Sequence, residues 1–330
     1  MLRKLLFFCS AMAAIAGARA DPVRIGYQTS VTPTAVAIVD GSFARDAGVP
    51  IDWRRFDSGA EVVRAMASGD IDIGSVGSSL VAAAAARELP VETFLIASQL
   101  GISEALIVRN GSGIAAPKDL VGKTVAVPFV STCHYSLLAD LQHWGIDRTR
   151  VKIVNLRPSE IPAAWARGDI DAAYVWDPAL GRIKETGTVL ATSVDAARWG
   201  APTYDVWIVR KDFSAQHAPF LAAFARTSLQ FMQRYAADPQ AFAASAANIG
   251  AIVKATGAKP ADVPTMLAGN TYLPADEQRR LLDGGFVKAV ADTAAFLKDQ
   301  GKVDVVLPDY HAYATARFLP AVSAPASVHP

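Results

Sequence analysis

The sequence predicts an α/β protein of two lobes. Each lobe is a mostly parallel sheet flanked by helices, two strands mark the crossing between lobes, and extra helices follow at the C-terminal end. Three observations carry this. Strand-like and helix-like stretches alternate from Val23 to Val175, the pattern of a parallel sheet with helical connections. Glu104–Arg109 (Glu-Ala-Leu-Ile-Val-Arg) and Asp205–Arg210 (Asp-Val-Trp-Ile-Val-Arg) share one pattern: a carboxylate, an apolar and largely β-branched run, then Val-Arg. Each reads as a short buried strand. Ala67-Ser68-Gly69-Asp70-Ile71-Asp72 recurs as Ala166-Arg167-Gly168-Asp169-Ile170-Asp171, at nearly the same offset. Gly-Asp-Ile-Asp alone is helix-stop chemistry. Its agreement with the strand pair favours two equivalent lobes, without making those aspartates functional. The expected division is 21–105 with 208–330, and 106–207, with one acid at each crossing and a ligand between the lobes.

In order, Val23–Tyr27 is a strand, and a helix follows from about Pro33 to Ala47, with proline suited to its first turn. Val49–Phe56 is a strand, then a helix runs from Ser58-Gly59 to Ser68 and is stopped by Gly69. Ile71–Val76 is a strand, Gly77-Ser78-Ser79 opens an alanine-rich helix to about Leu89, and Val91–Ser98 is a fourth strand. The plan then repeats. Thr124–Val127 is a strand, a helix runs to Trp144, Val151–Leu156 is a strand, Ile161–Arg167 is helical, and Ile170–Val175 is a strand. Asp177-Pro178 starts another helix as cap and first residue. Beyond Arg210 helices are expected near Pro219–Ala237, Pro239–Asn248, Ala261–Ala268, Ala275–Leu282, Phe286–Gln300 and Asp309–Phe318, packed on the first lobe. Pro320–Pro330 reads as a loose tail.

The first twenty residues read as a secretory leader: Arg3 and Lys4, an apolar Leu5–Gly17, and Ala18-Arg19-Ala20 before a cut. The apolar run is too short to span a bilayer. Cys9 lies inside that run, with no small-residue box before it, which argues against a lipoprotein. The mature chain is expected to be exported, to begin at Asp21 and to be a monomer. Loss of Arg3, Lys4 and Arg19 takes Lys+Arg from 32 to 29 against 31 Asp+Glu, so the net charge moves from +1 to −2. That argues against nucleic acid or an anionic membrane as partner. Only Cys133 remains, so no intrachain disulfide forms.

Ligands of open parallel sheets sit beyond the carboxyl ends of the strands. Four loops there are polar: Gln28-Thr29-Ser30, Gly77-Ser78-Ser79, Ser131-Thr132-Cys133-His134 and Trp176-Asp177-Pro178. Ser78-Ser79 and Ser131-Thr132 put hydroxyls and free N–H groups at helix starts, a natural anion site, although both pairs also suit plain capping. Glu104 and Asp205 supply the opposite charge. Buried carboxylates need a partner, either a bound ammonium or a nearby Arg or Lys. Trp176 offers a ring face to a cation, or packs as core; Trp207 reads as core. His134 either donates to the anion or is a structural histidine. Cys133 beside it is a poor nucleophile, because neighbours on a helix point apart. No metal cluster and no catalytic motif stands out.

The stretches Gly26–Ser30, Phe56–Gly59, Gly74–Ser79, Ser103–Val108, Val127–Tyr135, Trp165–Trp176, Trp199–Lys211 and Gly269–Leu273 together closely resemble the taurine-binding periplasmic proteins, the solute receptors of sulfonate-type ABC importers. The resemblance covers nearly all of the mature chain. It implies the two-lobed periplasmic binding protein type II fold, capture of 2-aminoethanesulfonate as a sulfur source, delivery to a membrane permease and ATPase, and neither catalysis nor cofactor. By resemblance the polar cleft carries over to Gln28, Ser78, Ser79, Glu104, Ser131, Thr132, His134, Trp176 and Asp205. Charge assigns the sulfonate to the hydroxyl loops and His134, and the ammonium to Asp205, Glu104 and Trp176. The alternatives are a receptor for general alkanesulfonates or another small anion, an enzyme of the pyrimidine-synthesis branch of the same fold, and a sensor domain.

Overall fold

The computed structural model describes residues 21–321; the expected leader and most of the expected tail lie outside them. The first half runs β1 (Val23–Tyr27), α1 (Ala35–Asp40), α2 (Ser42–Ala47), β2 (Ile51–Arg55), α3 (Gly59–Ala67), β3 (Ile73–Gly77), α4 (Ser78–Ala85) and β4 (Val91–Leu100). The second runs β5 (Glu104–Arg109), β6 (Thr124–Val127), α5 (Thr132–His143), β7 (Lys152–Asn155), α6 (Ile161–Arg167), β8 (Ala172–Trp176), α7 (Ala179–Lys184), β9 (Gly187–Thr192) and α8 (Ser193–Arg198). There follow β10 (Tyr204–Arg210), α9 (Lys211–Gln216), α10 (Ala218–Ala237), α11 (Pro239–Ala244), α12 (Ala246–Thr256), α13 (Val263–Leu267), β11 (Asn270–Thr271), α14 (Ala275–Arg280) and α15 (Phe286–Asp299).

Two sheets result, ordered β11-β4-β10-β3-β1-β2 and β7-β6-β8-β5-β9. β1 is parallel to β2 and β3, whereas β10 is antiparallel to β3 and β4. Likewise β6 is parallel to β7 and β8, whereas β5 is antiparallel to β8 and β9. So β1 to β4 share one direction, and so do β6 to β9. The strand inserted against them is in each case the one that has just crossed over. The run β4-β10-β3-β1-β2 therefore matches β9-β5-β8-β6-β7 position for position. The crossings themselves are Gly101–Ser103 and 199–203, immediately before the two related strands. They touch, since Leu100 N donates to Thr203 O at 3.0 Å.

The repeated aspartates do the same structural job in each lobe. Asp72 accepts from Arg24 N at 3.1 Å and Asp171 from Thr124 N at 2.9 Å. Each also lies beside the arginine that ends its inserted strand, Arg210 at 3.9 Å and Arg109 at 3.6 Å. Trp207 is core, packed edge-on to Phe224 at 5.0 Å. One apolar core joins the first sheet to the C-terminal helices through Phe224, Phe286 and Leu297. The second lobe has cores of its own on the two faces of its sheet.

Several expected elements differ. The helix from Pro33 to Ala47 breaks at Gly41, whose φ of 77° only glycine adopts freely, and Asp40 caps the new start through Ser42 N at 2.8 Å. The helix expected to reach Leu89 ends at Ala85. Pro239–Asn248 divides at Ser245, which leaves the helical region and caps α12. β9 and α8 were not expected. β9 is a half-exposed edge strand containing glycine and threonine, with little apolar signal. Asp309–Phe318 is not a helix beyond the short turn His311–Tyr313. It is a strap: Thr315 N donates to Thr93 O at 2.9 Å, Arg317 pairs with buried Glu92, and Arg279 donates to the carbonyls of Ala316, Leu319 and Pro320. These side-chain and edge bonds outweigh helix propensity there.

At the first crossing the packing leaves no slack. A Cβ on Gly101 would stand 2.4 Å from the Gly269 carbonyl oxygen, a backbone atom that cannot swing away. Gly101→Ala is expected to lower stability by about 1–3 kcal/mol, read from the urea midpoint.

Candidate functional site

Between the sheets lies a cavity of about 270 Å³. Its wall is made where strands end and helices begin. From the first lobe come Gln28 and Ser30 after β1, Ser58 to Glu61 at the start of α3, Gly77 before α4, and Asp205 on β10. From the second come Glu104, Ser131 and Thr132 at the start of α5, Asn155 to Arg157 after β7, and Trp176 with Asp177 after β8. The two sides nearly touch at the back, where a Cβ on Gly77 would lie 2.6 Å from the Thr132 methyl. Bridges close the rim: Thr29 Oγ1 donates to Asp177 O at 3.3 Å, Ser159 Oγ donates to Asp57 at 2.6 Å, and Lys259 pairs with Glu185. Lys302 from the first lobe caps the Phe129 ring of the second at 4.5 Å.

The cleft thus brings together six of the nine residues singled out from the sequence: Gln28, Glu104, Ser131, Thr132, Trp176 and Asp205. It does not bring Ser78, Ser79 or His134 to the cavity wall. Ser78 Oγ is turned inward and accepts from Tyr204 N at 3.2 Å, while Ser79 is wholly buried. His134 braces the loop ahead of α5. Its Nδ1 accepts from Val130 N at 3.0 Å, which puts the ring proton on Nε2, and the ring stacks on Phe129 at 4.7 Å. Burial pushes its pKa down to about 3, helped by Lys302 and Arg148, so the ring is neutral. The brace holds Val130 at a φ of 63°, which a β-branched residue rarely adopts.

The hydroxyls of Ser131 and Thr132 are already engaged. Ser131 Oγ donates to Pro128 O at 2.6 Å and accepts from His134 N at 3.2 Å. Thr132 Oγ1 donates to Glu104. What α3 and α5 present to the cavity is therefore their first-turn backbone N–H groups, unpaired within the helix and at its positive end. Arg64, one turn into α3, also lines the wall. Arg64, Asn155 and Arg157 were missed. Extending the strand-end rule to the two edge strands, β2 and β7, points to the loops after them.

Glu104 and Asp205 are 3 % and 7 % exposed, and neither has a cationic partner among the described residues. The ion pair to a protein Arg or Lys is thus not realised. Glu104 instead accepts from Thr132 and, at 3.0 Å, from Ser193 Oγ. Burial, opposed by these hydroxyls and reinforced by Asp205, holds its pKa at about 7. Burial likewise lifts Asp205 to about 6, against the pull of Ser30. Trp176 stands opposite Glu104 in the sheet and is half-buried. Cys133 is buried and its thiol is pushed well up by burial and by Glu104, so it is no thiolate. No group of acids, histidines or cysteines suited to a metal occurs among the described residues.

A family model described as NMT1/THI5 like matches residues 28–242. The chain belongs to the NMT1/THI5-like family. Within it, the chain is 50 % identical over 302 residues to the taurine-binding periplasmic protein of Escherichia coli K12, covering 92 % of this chain and 94 % of that one. Among solved structures it resembles the alkanesulfonate-binding protein SsuA from Xanthomonas axonopodis pv. citri bound to MOPS, with a TM-score of 0.73, 22 % identity, and 88 % and 97 % of the two chains covered. The desulfurization enzyme DszB is similar in fold as well, with a TM-score of 0.61 and 15 % identity over 90 % of this chain and 97 % of its own. At such identities the likeness concerns fold alone.

The raised carboxyls link stability to pH. Glu104 at about 7, Asp205 at about 6, and Asp140, wholly buried and at about 8, all bind protons more tightly folded than unfolded. Their contribution is complete at low pH and is lost as pH rises through about 6 to 8. The unliganded protein is therefore expected to melt at falling temperature across that window. Glu104→Gln should flatten the part of the curve near neutrality in a calorimetric series.

Proposed function

We propose that the protein is an exported periplasmic receptor of an ABC importer that captures taurine in the interlobe cleft and delivers it to a membrane permease and ATPase. One observation carries this reading: two buried carboxyls with no cationic partner among the described residues share one small cavity with the starts of α3 and α5. A buried negative pair is costly unless neutralised, and an ammonium does so. Helix starts bind an anion through N–H groups. A short molecule with an ammonium at one end and a sulfonate at the other satisfies both. The Escherichia coli relative named for taurine, at 50 % identity, supports the same ligand.

Asp205 and Glu104 take the ammonium, with the Trp176 face beside it. The first turns of α3 and α5 take the sulfonate, with Arg64 adding charge; the Ser131 and Thr132 hydroxyls and His134 shape that end without donating to it. Bridges from one lobe to the other favour the closed form, and water leaving the cleft strengthens the ion pairs. A ligand that carries both charges engages both walls and shifts the lobes toward closure.

Asp205→Asn is expected to weaken taurine binding by on the order of 2–5 kcal/mol, because the ammonium is left buried and unpaired. Isothermal calorimetry reads this directly, and unchanged affinity removes the assigned role. Ethanesulfonate, which lacks the amine, is expected to bind much more weakly than taurine; equal binding points to a receptor for general alkanesulfonates. Taurine affinity should also fall as pH drops through about 6, where Asp205 takes up a proton and its charge is lost. Flat affinity from pH 7 to pH 5 contradicts the ammonium pocket.

A further inference from the structure

Asn270 belongs to neither of the repeated strand sets. It opens the two-residue β11 of the C-terminal segment, yet it lines the cavity beside Leu100, Ser103 and Met266. Its Oδ1 accepts from Gly101 N at 3.2 Å and also from Ser103 Oγ. The backbone adds to this grip. Asn270 pairs with Leu100 and Thr271 with Gln99, and Ser103 N reaches Gly269 O at 3.4 Å. The first crossing is thereby pinned at both of its ends by one amide oxygen. The second crossing hangs on the first through the Leu100 to Thr203 bond. Glu104 follows Ser103 directly, and Asp205 lies two residues beyond Thr203. The separation of the two carboxyls is thus set at the crossings, and Asn270 holds the crossings without a hydrogen bond to either acid.

We propose that Asn270 is a positioning residue for the cation pole: by fixing Gly101 and Ser103 it sets the spacing of Glu104 and Asp205, and so the preference for an ammonium-bearing ligand. The choice of side chain follows. A neutral carbonyl accepts two donors. Aspartate would accept them too, but would add a third negative charge at the pole. Alanine or leucine would leave Gly101 N–H and the Ser103 hydroxyl without their acceptor. The inference rests on the taurine reading only for the identity of the ligand.

The test compares wild type, Asn270→Ala, Ser103→Ala and the double variant. Calorimetry with taurine and with ethanesulfonate gives the preference. The Glu104 carboxyl, followed by carbon NMR without ligand, reports the spacing through the field of Asp205. The other groups facing Glu104, namely Thr132, Cys133, Tyr174 and Ser193, are left in place. Asn270→Ala is expected to cost about tenfold in taurine affinity and less than about twofold in ethanesulfonate affinity. The Glu104 midpoint should move down as Asp205 recedes, and the double variant should be no worse than Asn270→Ala. Equal losses for both ligands, or an unmoved Glu104 midpoint with a lower melting temperature, make Asn270 a purely structural residue and overturn the proposal. If wild type itself fails to bind taurine, the functional reading falls, and the unliganded Glu104 titration alone decides on Asn270.

Discussion

Two carboxyls, Glu104 and Asp205, are buried within reach of each other's field and have no cation to answer them among the described residues. In a folded interior that arrangement is unfavourable until something positive arrives. The rest of the site organises itself around this debt of charge. The acids lie at the starts of the strands that have just crossed between lobes, so each lobe carries one. Thr132 and Ser193 each lend a hydroxyl proton to Glu104 and make its burial tolerable without neutralising it. The same cavity also holds the starts of α3 and α5, whose backbone donors need an acceptor. The cleft is polarised before any ligand enters it.

The loop ahead of α5 shows how the molecule pre-arranges the anion end. A valine in the left-handed region is costly, and Val130 is held there because its N–H has a neutral imidazole to donate to. Phe129 stacks on that imidazole, and Lys302 lies over the Phe129 ring. The histidine acts through geometry, and its suppressed basicity keeps the brace indifferent to pH over the range where the acids titrate.

Much of this was legible in the residues. Gly and Pro mark most helix boundaries, the alternation gives the sheets, and the twin strands place Glu104 and Asp205 together. The parts that escaped have physical reasons. β9 and α8 are amphiphilic only weakly, and an edge strand needs no apolar run. The C-terminal strap depends on Arg279 and Arg317, whose partners are carbonyls and an acid distant in the chain. That Ser78, Ser79 and His134 lie off the cavity wall was hidden for a similar reason. Where a hydroxyl faces depends on its partners elsewhere in the chain, such as Tyr204 N, which donates to Ser78 Oγ at a separation of 126 residues. Loop composition shows that a hydroxyl exists; only the tertiary partner shows which way it is turned.

The strand exchange has a consequence for biogenesis. β5 through β9 are contiguous in the chain and can assemble as soon as they emerge. The other sheet cannot, because β10 fills the gap between β3 and β4 and is synthesised after all of β5 to β9. Until Tyr204–Arg210 arrives, β3 and β4 present unsatisfied edges to any passing strand. A chain truncated between β9 and β10 is thus left with one finished sheet and one open, aggregation-prone half, and the order of maturation runs opposite to the order of translation.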